Sequence, residues 1–129
     1  MNRKLLIVCA MAILASCAHF RHSDANGTPH IDAVRPDSVL LPRGGFVDIA
    51  IVGRGFAAGM PGSNTIEFAG TTITSVAADA AGTSIRFAVP DMISSGGEAP
   101  PVPIEAGSYS IRIRTAAGVS NAMTVRIYR

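Results

Sequence analysis

Two thiols, three imidazoles, nine carboxylates and a set of arginines are the groups in this 129-residue chain able to do chemistry. The thiol of Cys17 stands apart by its setting. It follows Leu14-Ala15-Ser16, after a basic start, Asn2-Arg3-Lys4, and an apolar run from Leu5 to Leu14. Small residues before a cysteine suit a narrow protease cleft, and a thiolate is the nucleophile needed to take up an alkyl group. The other cysteine, Cys9, lies inside the apolar run. His19, His22 and His30 all precede the folded region and read as solvated linker side chains, because a structural metal site takes four ligands on ordered chain. Asp32, Asp37, Asp48, Asp79, Asp91, Glu98 and Glu105 are scattered over turns and outward strand positions, as solvated surface charge. The serines lack a G-x-S-x-G elbow, and no Asp-rich run suggests a calcium loop. The expectation is therefore a non-enzyme, with no catalytic residue, metal or cofactor.

Two groups of residues suit binding instead. Arg112, Arg114 and Arg126 fall at outward positions of two neighbouring strands, where guanidinium groups meet acidic groups or glycans. Their bland role is solubility and edge protection. Pro100, Pro101 and Pro103 lie in the stretch Asp91–Ala106. Prolines limit its conformations, so less entropy is lost when it is held against a partner. The same stretch also reads as an inert insertion.

The segment ending at Cys17 resembles a bacterial lipoprotein signal. The resemblance implies removal of residues 1–16, cleavage between Ser16 and Cys17, and Cys17 as the lipid-bearing first residue. The ten-residue apolar run is far short of the ~20 needed to span a bilayer as a stable helix. In this family the freed amine is commonly acylated as well, and each buried CH₂ contributes about 0.8 kcal/mol to membrane binding. Ala18, where an aspartate retains Gram-negative lipoproteins in the inner membrane, resembles the outer-membrane class. The competing assignment is an ordinary secretory signal cut nearby, after Ala18 for example. Residues 17–29 then form a polar tether with Gly27 and Pro29 near its end, and about 12 such residues reach ~20 Å.

Removing Arg3 and Lys4 changes the charge balance. The mature chain keeps 9 arginines and 9 acidic residues, so its net charge is zero. A neutral domain has no strong pull toward nucleic acid or anionic head groups. It also has no disulfide and no cysteine zinc site, so packing and strand pairing must stabilise it.

From Ile31 onward the pattern is period-two alternation broken by Gly, Pro, Asn and Asp, which predicts short strands and no helix. Ile31–Val34 is a first strand stopped by Pro36. Ser38–Leu41 continues it, and the flanking prolines fit an edge strand that switches partners. Phe46–Val52, Asn64–Phe68, Thr72–Val76, Ser84–Val89, Ser108–Thr115 and Asn121–Tyr128 follow. Val47, Ile49, Ile51, Ile66, Phe68, Ile85, Phe87, Val89, Tyr109, Ile111, Ile113, Met123, Val125 and Ile127 point inward, and Phe56 folds back onto the core. Gly53 and Gly55 permit backbone angles that a Cβ resists. Asp91–Ala106 is the longest irregular stretch. With no tryptophan in the chain, only Phe20 and Tyr128 are expected as exposed rings.

Six segments in order resemble the IPT/TIG family, the Ig-like domain of plexins, some transcription factors and many bacterial surface proteins. Ile31-Asp32-Ala33-Val34-Arg35-Pro36 is similar to its opening strand, and Ile49-Ala50-Ile51-Val52-Gly53-Arg54-Gly55-Phe56 to its second-strand motif. Ile66-Glu67-Phe68-Ala69-Gly70 is similar to its third strand, with Ala69 in place of a glycine. Phe87-Ala88-Val89-Pro90 resembles the strand before its crossing. Gly107–Ile113 and Gly118-Val119-Ser120-Asn121-Ala122 resemble its closing hairpin. The Asp91–Ala106 stretch is longer than the usual crossing. The resemblance implies an all-β, Ig-like β-sandwich of about seven strands over residues 30–129. It also implies an interaction role; taken with the lipoprotein-like signal, the expectation is a domain that reaches the membrane through its lipid anchor and has another envelope protein as partner. The alternative is a glycan-binding surface lipoprotein.

Overall fold

The computed structural model describes residues 27–59, 63–94 and 96–129; the signal, Ser16, Cys17, Phe20 and most of the tether lie outside them. Eleven strands form, and among the described residues there is no helix. The smaller sheet has the order β1 (His30–Arg35), β3 (Phe46–Arg54), β6 (Ser84–Pro90). The larger has the order β2 (Ser38–Leu40), β11 (Met123–Tyr128), β9 (Gly107–Thr115), β4 (Asn64–Phe68), β5 (Thr71–Val76). The short β10 (Gly118–Val119) folds back on β9, and β7 (Met92–Ile93) pairs with β8 (Val102–Pro103) as a separate ribbon. Chain neighbours are split between sheets in a Greek-key order, giving an all-β, Ig-like sandwich.

The opening strand switches sheets as its prolines suggest. β1 runs antiparallel to β3, and three residues later β2 runs parallel to β11. Counted as one broken strand, β1 and β2 bring the sandwich to seven. The predicted inward residues do meet: Ile49, Ile51, Ile66, Ile85, Ile111, Ile113, Val125 and Ile127 are all buried. Phe68 crosses the core to Phe87, edge to face at 5.5 Å between ring centroids, and Tyr109 tilts against Phe68 at 5.7 Å.

Buried polar side chains close the places where the ladders fail. Asn64 is fully buried and works like a piece of backbone. Its Oδ1 accepts from Ala57 N (2.8 Å), while its Nδ2 donates to Ala57 O (2.8 Å) and Val76 O (3.1 Å). Ser120 Oγ accepts from Ile113 N at 2.9 Å, filling a gap in the β9 ladder where the returning chain has one residue too many. The next residue, Asn121, is not in the last strand as expected. Its amide accepts from Ile31 N and donates to Ile31 O, clipping the edge of β1 to the other sheet.

The two motif glycines serve different ends. Gly55 has φ +72, as a left-handed turn requires. Gly53 does not; a Cβ there would lie 2.0 Å from the His30 carbonyl oxygen, so it is close approach of β1 that demands glycine. Ala69, where the family pattern has glycine, is left-handed at φ +50 in the β4–β5 turn. Ala69→Gly is therefore expected to stabilise the fold by about 0.5–1 kcal/mol, as left-handed strain outweighs the extra chain entropy. A raised midpoint in thermal or urea unfolding checks this.

Edge strands are handled individually. β5 carries a one-residue bulge against β4, with Ser75 at φ +64, which bends the edge away from further pairing. The Asp79 carboxylate knits the turn into β6, accepting from Thr83 N (2.7 Å), Thr83 Oγ1 (2.8 Å) and Ser84 N (3.1 Å). The Thr83 amide foremost holds its pKa below the ordinary carboxylate value.

Candidate interaction site

The domain has two unlike ends. His30, expected in the linker with His19 and His22, is instead the half-buried first residue of β1; it pairs with Arg54, and Val52 pairs with Ser84, at the end where the chain enters. There the entering backbone of Gly27, Thr28 and Pro29 lies against Gly55, and Thr28 against Gly118. Asp32, pushed out by a bulge in β1, bonds Arg54 at 2.9 Å and has His30 at 3.5 Å. β3 then carries nine residues to the opposite end, about 30 Å away at ~3.4 Å per residue.

At that distal end a hydrogen-bonded knot joins three loops. Asp91 N donates to Gly45 O, and the Asp91 carboxylate accepts from Gly44 N. Ile104 N donates to Asp91 O, and the Arg129 guanidinium donates to the carbonyls of Ile104 and Asp91. The Asp91–Ala106 stretch therefore departs from the irregular loop expected. Its two limbs pair as β7 and β8, Ile104 enters the core, and Thr71 Oγ1 holds Ser94 O. The Tyr109 hydroxyl donates to Glu105 O at 2.8 Å. Pro100 and Pro101 remain exposed on the returning limb, while Pro103 sits in β8 opposite Met92.

Five large apolar side chains are well exposed among the described residues, and all surround this knot. They are Leu40 (69%), Phe46 (64%), Met92 (49%), Val102 (49%) and Tyr128 (48%). Phe46 follows Gly45, Met92 follows Asp91, Val102 lies two residues before Ile104, and Tyr128 precedes Arg129. Leu40 is the cross-strand partner of Tyr128. Leu40 and Tyr128 stand on the outer face of the large sheet, whereas Phe46 is on the outer face of the small one. The residues thus ring the end of the sandwich. Phe46 corrects the expectation that only Phe20 and Tyr128 are exposed rings. It shares its parity on β3 with Asp48 and Ala50, which already point out.

The three arginines face outward on β9 and β11, as expected, yet they do not converge. Arg126 is opposite Ser108, four residues along β9 from Arg112, which is about 14 Å. Arg114 is engaged by Glu67 Oε1, at 3.0 Å from Nε and 2.6 Å from Nη2. Arg126 is held protonated above its ordinary range, chiefly by Tyr128 and further by Asp37. Arg112 lines a shallow depression of about 270 Å³ with Ser110, Thr72, Glu67 and the Ala69–Gly70 turn. Among the described residues no cluster of His, Cys, Asp or Glu is arranged to hold a metal, and no helix is long and apolar enough to cross a membrane.

No protein-family model matches the chain, and no curated protein matches it.

Proposed function

We propose that this chain is a lipid-anchored, non-catalytic cell-envelope domain that makes protein–protein contacts through the distal end of an IPT/TIG-type sandwich. The observation that carries the reading is polarity along the long axis. The chain enters at one end, and every strongly exposed large apolar side chain among the described residues rings the other. Clustered exposed apolar surface marks contact sites on soluble domains. With the anchor at Cys17, that end faces away from the membrane. The IPT/TIG assignment is supported by Gly53 and Gly55, which have separate steric reasons within the second-strand motif. The opening strand, split between sheets, supports it further.

A glycan-binding role is favoured by one specific observation: Phe46 and Tyr128 are exposed rings near the same end. Their position on opposite outer faces and the aliphatic Leu40, Met92 and Val102 beside them favour a protein surface instead.

The paired substitution Leu40→Glu and Met92→Glu distinguishes the readings. Recovery of the partner from crosslinked cells should fall at least tenfold. Such exposed changes should alter stability by only about 0.5 kcal/mol each. Loss of polysaccharide retention in Phe46→Ala and Tyr128→Ala, with protein recovery unchanged in the first variant, would replace protein binding by glycan binding.

A further inference from the structure

The outer face of the small sheet brings together two arginines that the sequence keeps apart. Arg35, the last residue of β1, is the cross-strand partner of Ala50, and Ala50 is also the partner of Arg86 on β6. The three form one row across the sheet. With strands ~4.8 Å apart, the two arginine backbones are about 10 Å from each other across the alanine. The floor between them is low because Ala50 carries only a methyl group, and Ala88 follows on β6. Arg35, Ala50 and Arg86, with Ile49 and Asp48, line a depression of about 170 Å³. Arg35, Asp48 and Arg86 are all exposed. Among the described residues none of the three makes an ion pair within 4.0 Å, whereas Arg54 and Arg114 each have a carboxylate.

We infer that Arg35 and Arg86 form a clamp for a phosphate monoester. A guanidinium offers a planar fork of donors, best met by two oxygens on one atom. Two forks approaching from opposite sides cannot both take a carboxylate in this way, because its one pair of oxygens faces one direction. A phosphate monoester has three terminal oxygens, so each arginine can grip a different O–P–O edge while sharing one oxygen. The span suits two long side chains closing inward over Ala50 from either flank. Asp48 is one row away on β3, opposite Ala88. Its carboxylate lowers the charge of the site to a net +1, opposes the bound anion, and offers an acceptor to hydroxyl or ammonium groups beside the ester. The clamp lies on the small sheet, separate from Arg112, Arg114 and Arg126 on the large one.

The test titrates the full-length protein in detergent micelles with glycerol 3-phosphate, following arginine side-chain NMR signals. Inorganic phosphate and glucuronate are parallel probes, and vesicles with or without phosphatidic acid form a further arm. Glycerol 3-phosphate should move the Arg35 and Arg86 signals together and saturably, with glucuronate at least fivefold weaker. Arg35→Gln and Arg86→Gln should each weaken binding tenfold or more, and Asp48→Asn should tighten it severalfold. Arg43→Gln, at an exposed position outside the depression, should leave it unchanged. Competition by phosphatidic acid vesicles would identify a lipid head group as the source, and its absence a soluble or glycan-borne ester. A folded Arg35→Gln, Arg86→Gln double variant that binds glycerol 3-phosphate like the unsubstituted protein would overturn the proposal. So would equal affinity for glucuronate, or no tightening in Asp48→Asn.

Discussion

Cys17→Ser is expected to move the protein from the detergent-rich phase to the aqueous phase, or to leave it as an unprocessed precursor. The thioether that would attach a diacylglyceryl group requires sulfur; a serine hydroxyl, with its far higher pKa, is not ionised at that step. The energetic consequence is large. One acyl chain gives only marginal, reversible binding, and stable anchoring takes two or more, at about 0.8 kcal/mol per buried CH₂. With residues 1–16 removed, as proposed, the remaining chain has a net charge of zero and offers no polybasic attraction to head groups in compensation. Phase partitioning and intact mass are the measurements. Unchanged partitioning in the serine variant, with a mass that differs only by the exchange of sulfur for oxygen, would remove the anchor from the account and return residues 1–16 to an ordinary secretory signal.

Asn64→Ala should be the most damaging single polar substitution in the folded domain. Three hydrogen bonds converge on one fully buried amide. Truncation leaves Ala57 N, Ala57 O and Val76 O without partners, where water enters poorly. At ~1–3 kcal/mol for each buried group left unmet, and allowing for partial exposure of the partners, the loss is about 3 kcal/mol or more. For a domain of this size that is a fall in melting temperature of roughly 12 °C or more. Asn64→Asp should not rescue it, since a second carboxylate oxygen would face two carbonyl oxygens. Thr65→Ala, on the half-exposed outer side of the same strand, is the control and should shift the midpoint little. Equal small shifts for Asn64→Ala and Thr65→Ala would show that the amide does not close the loop.

The strands were legible because their signal is local. Ile49 and Ile51, or Ile111 and Ile113, alternate within a few residues, and burial of one face follows from parity. The sheet switch between β1 and β2 was legible for a similar reason, since Pro36 and Pro42 interrupt pairing where they stand. What failed to show depends on residues far apart in the chain. Ile104 lies among prolines with no alternation, and only its bond to Asp91 and the cover of Arg129 turn it inward. Asn64 and Asn121 read only as the first residues of strands, and Ser120 as part of a hairpin; their bonding roles did not show because their partners are set by ladders that end elsewhere. Arg35 and Arg86 meet across Ala50 through two registers, neither of which is written in either strand alone. Arg112, Arg114 and Arg126 show the converse: outward parity was readable, but the offset between β9 and β11 was not. Phe46 is a different case. Its parity was in plain view on β3, and only the tendency of phenylalanine to be buried argued otherwise.

The most direct test of the account is site-specific photocrosslinking in intact cells from single positions at the two ends of the domain. Probes at Leu40 and Met92 mark the distal end, and probes at Arg54 and Thr115 the end where the chain enters. The account predicts a discrete protein adduct from Leu40 and Met92, little from Arg54 and Thr115, and loss of the adduct in Cys17→Ser. A protein adduct from Arg54 and Thr115 with none from Leu40 and Met92, or an adduct indifferent to Cys17, would contradict it.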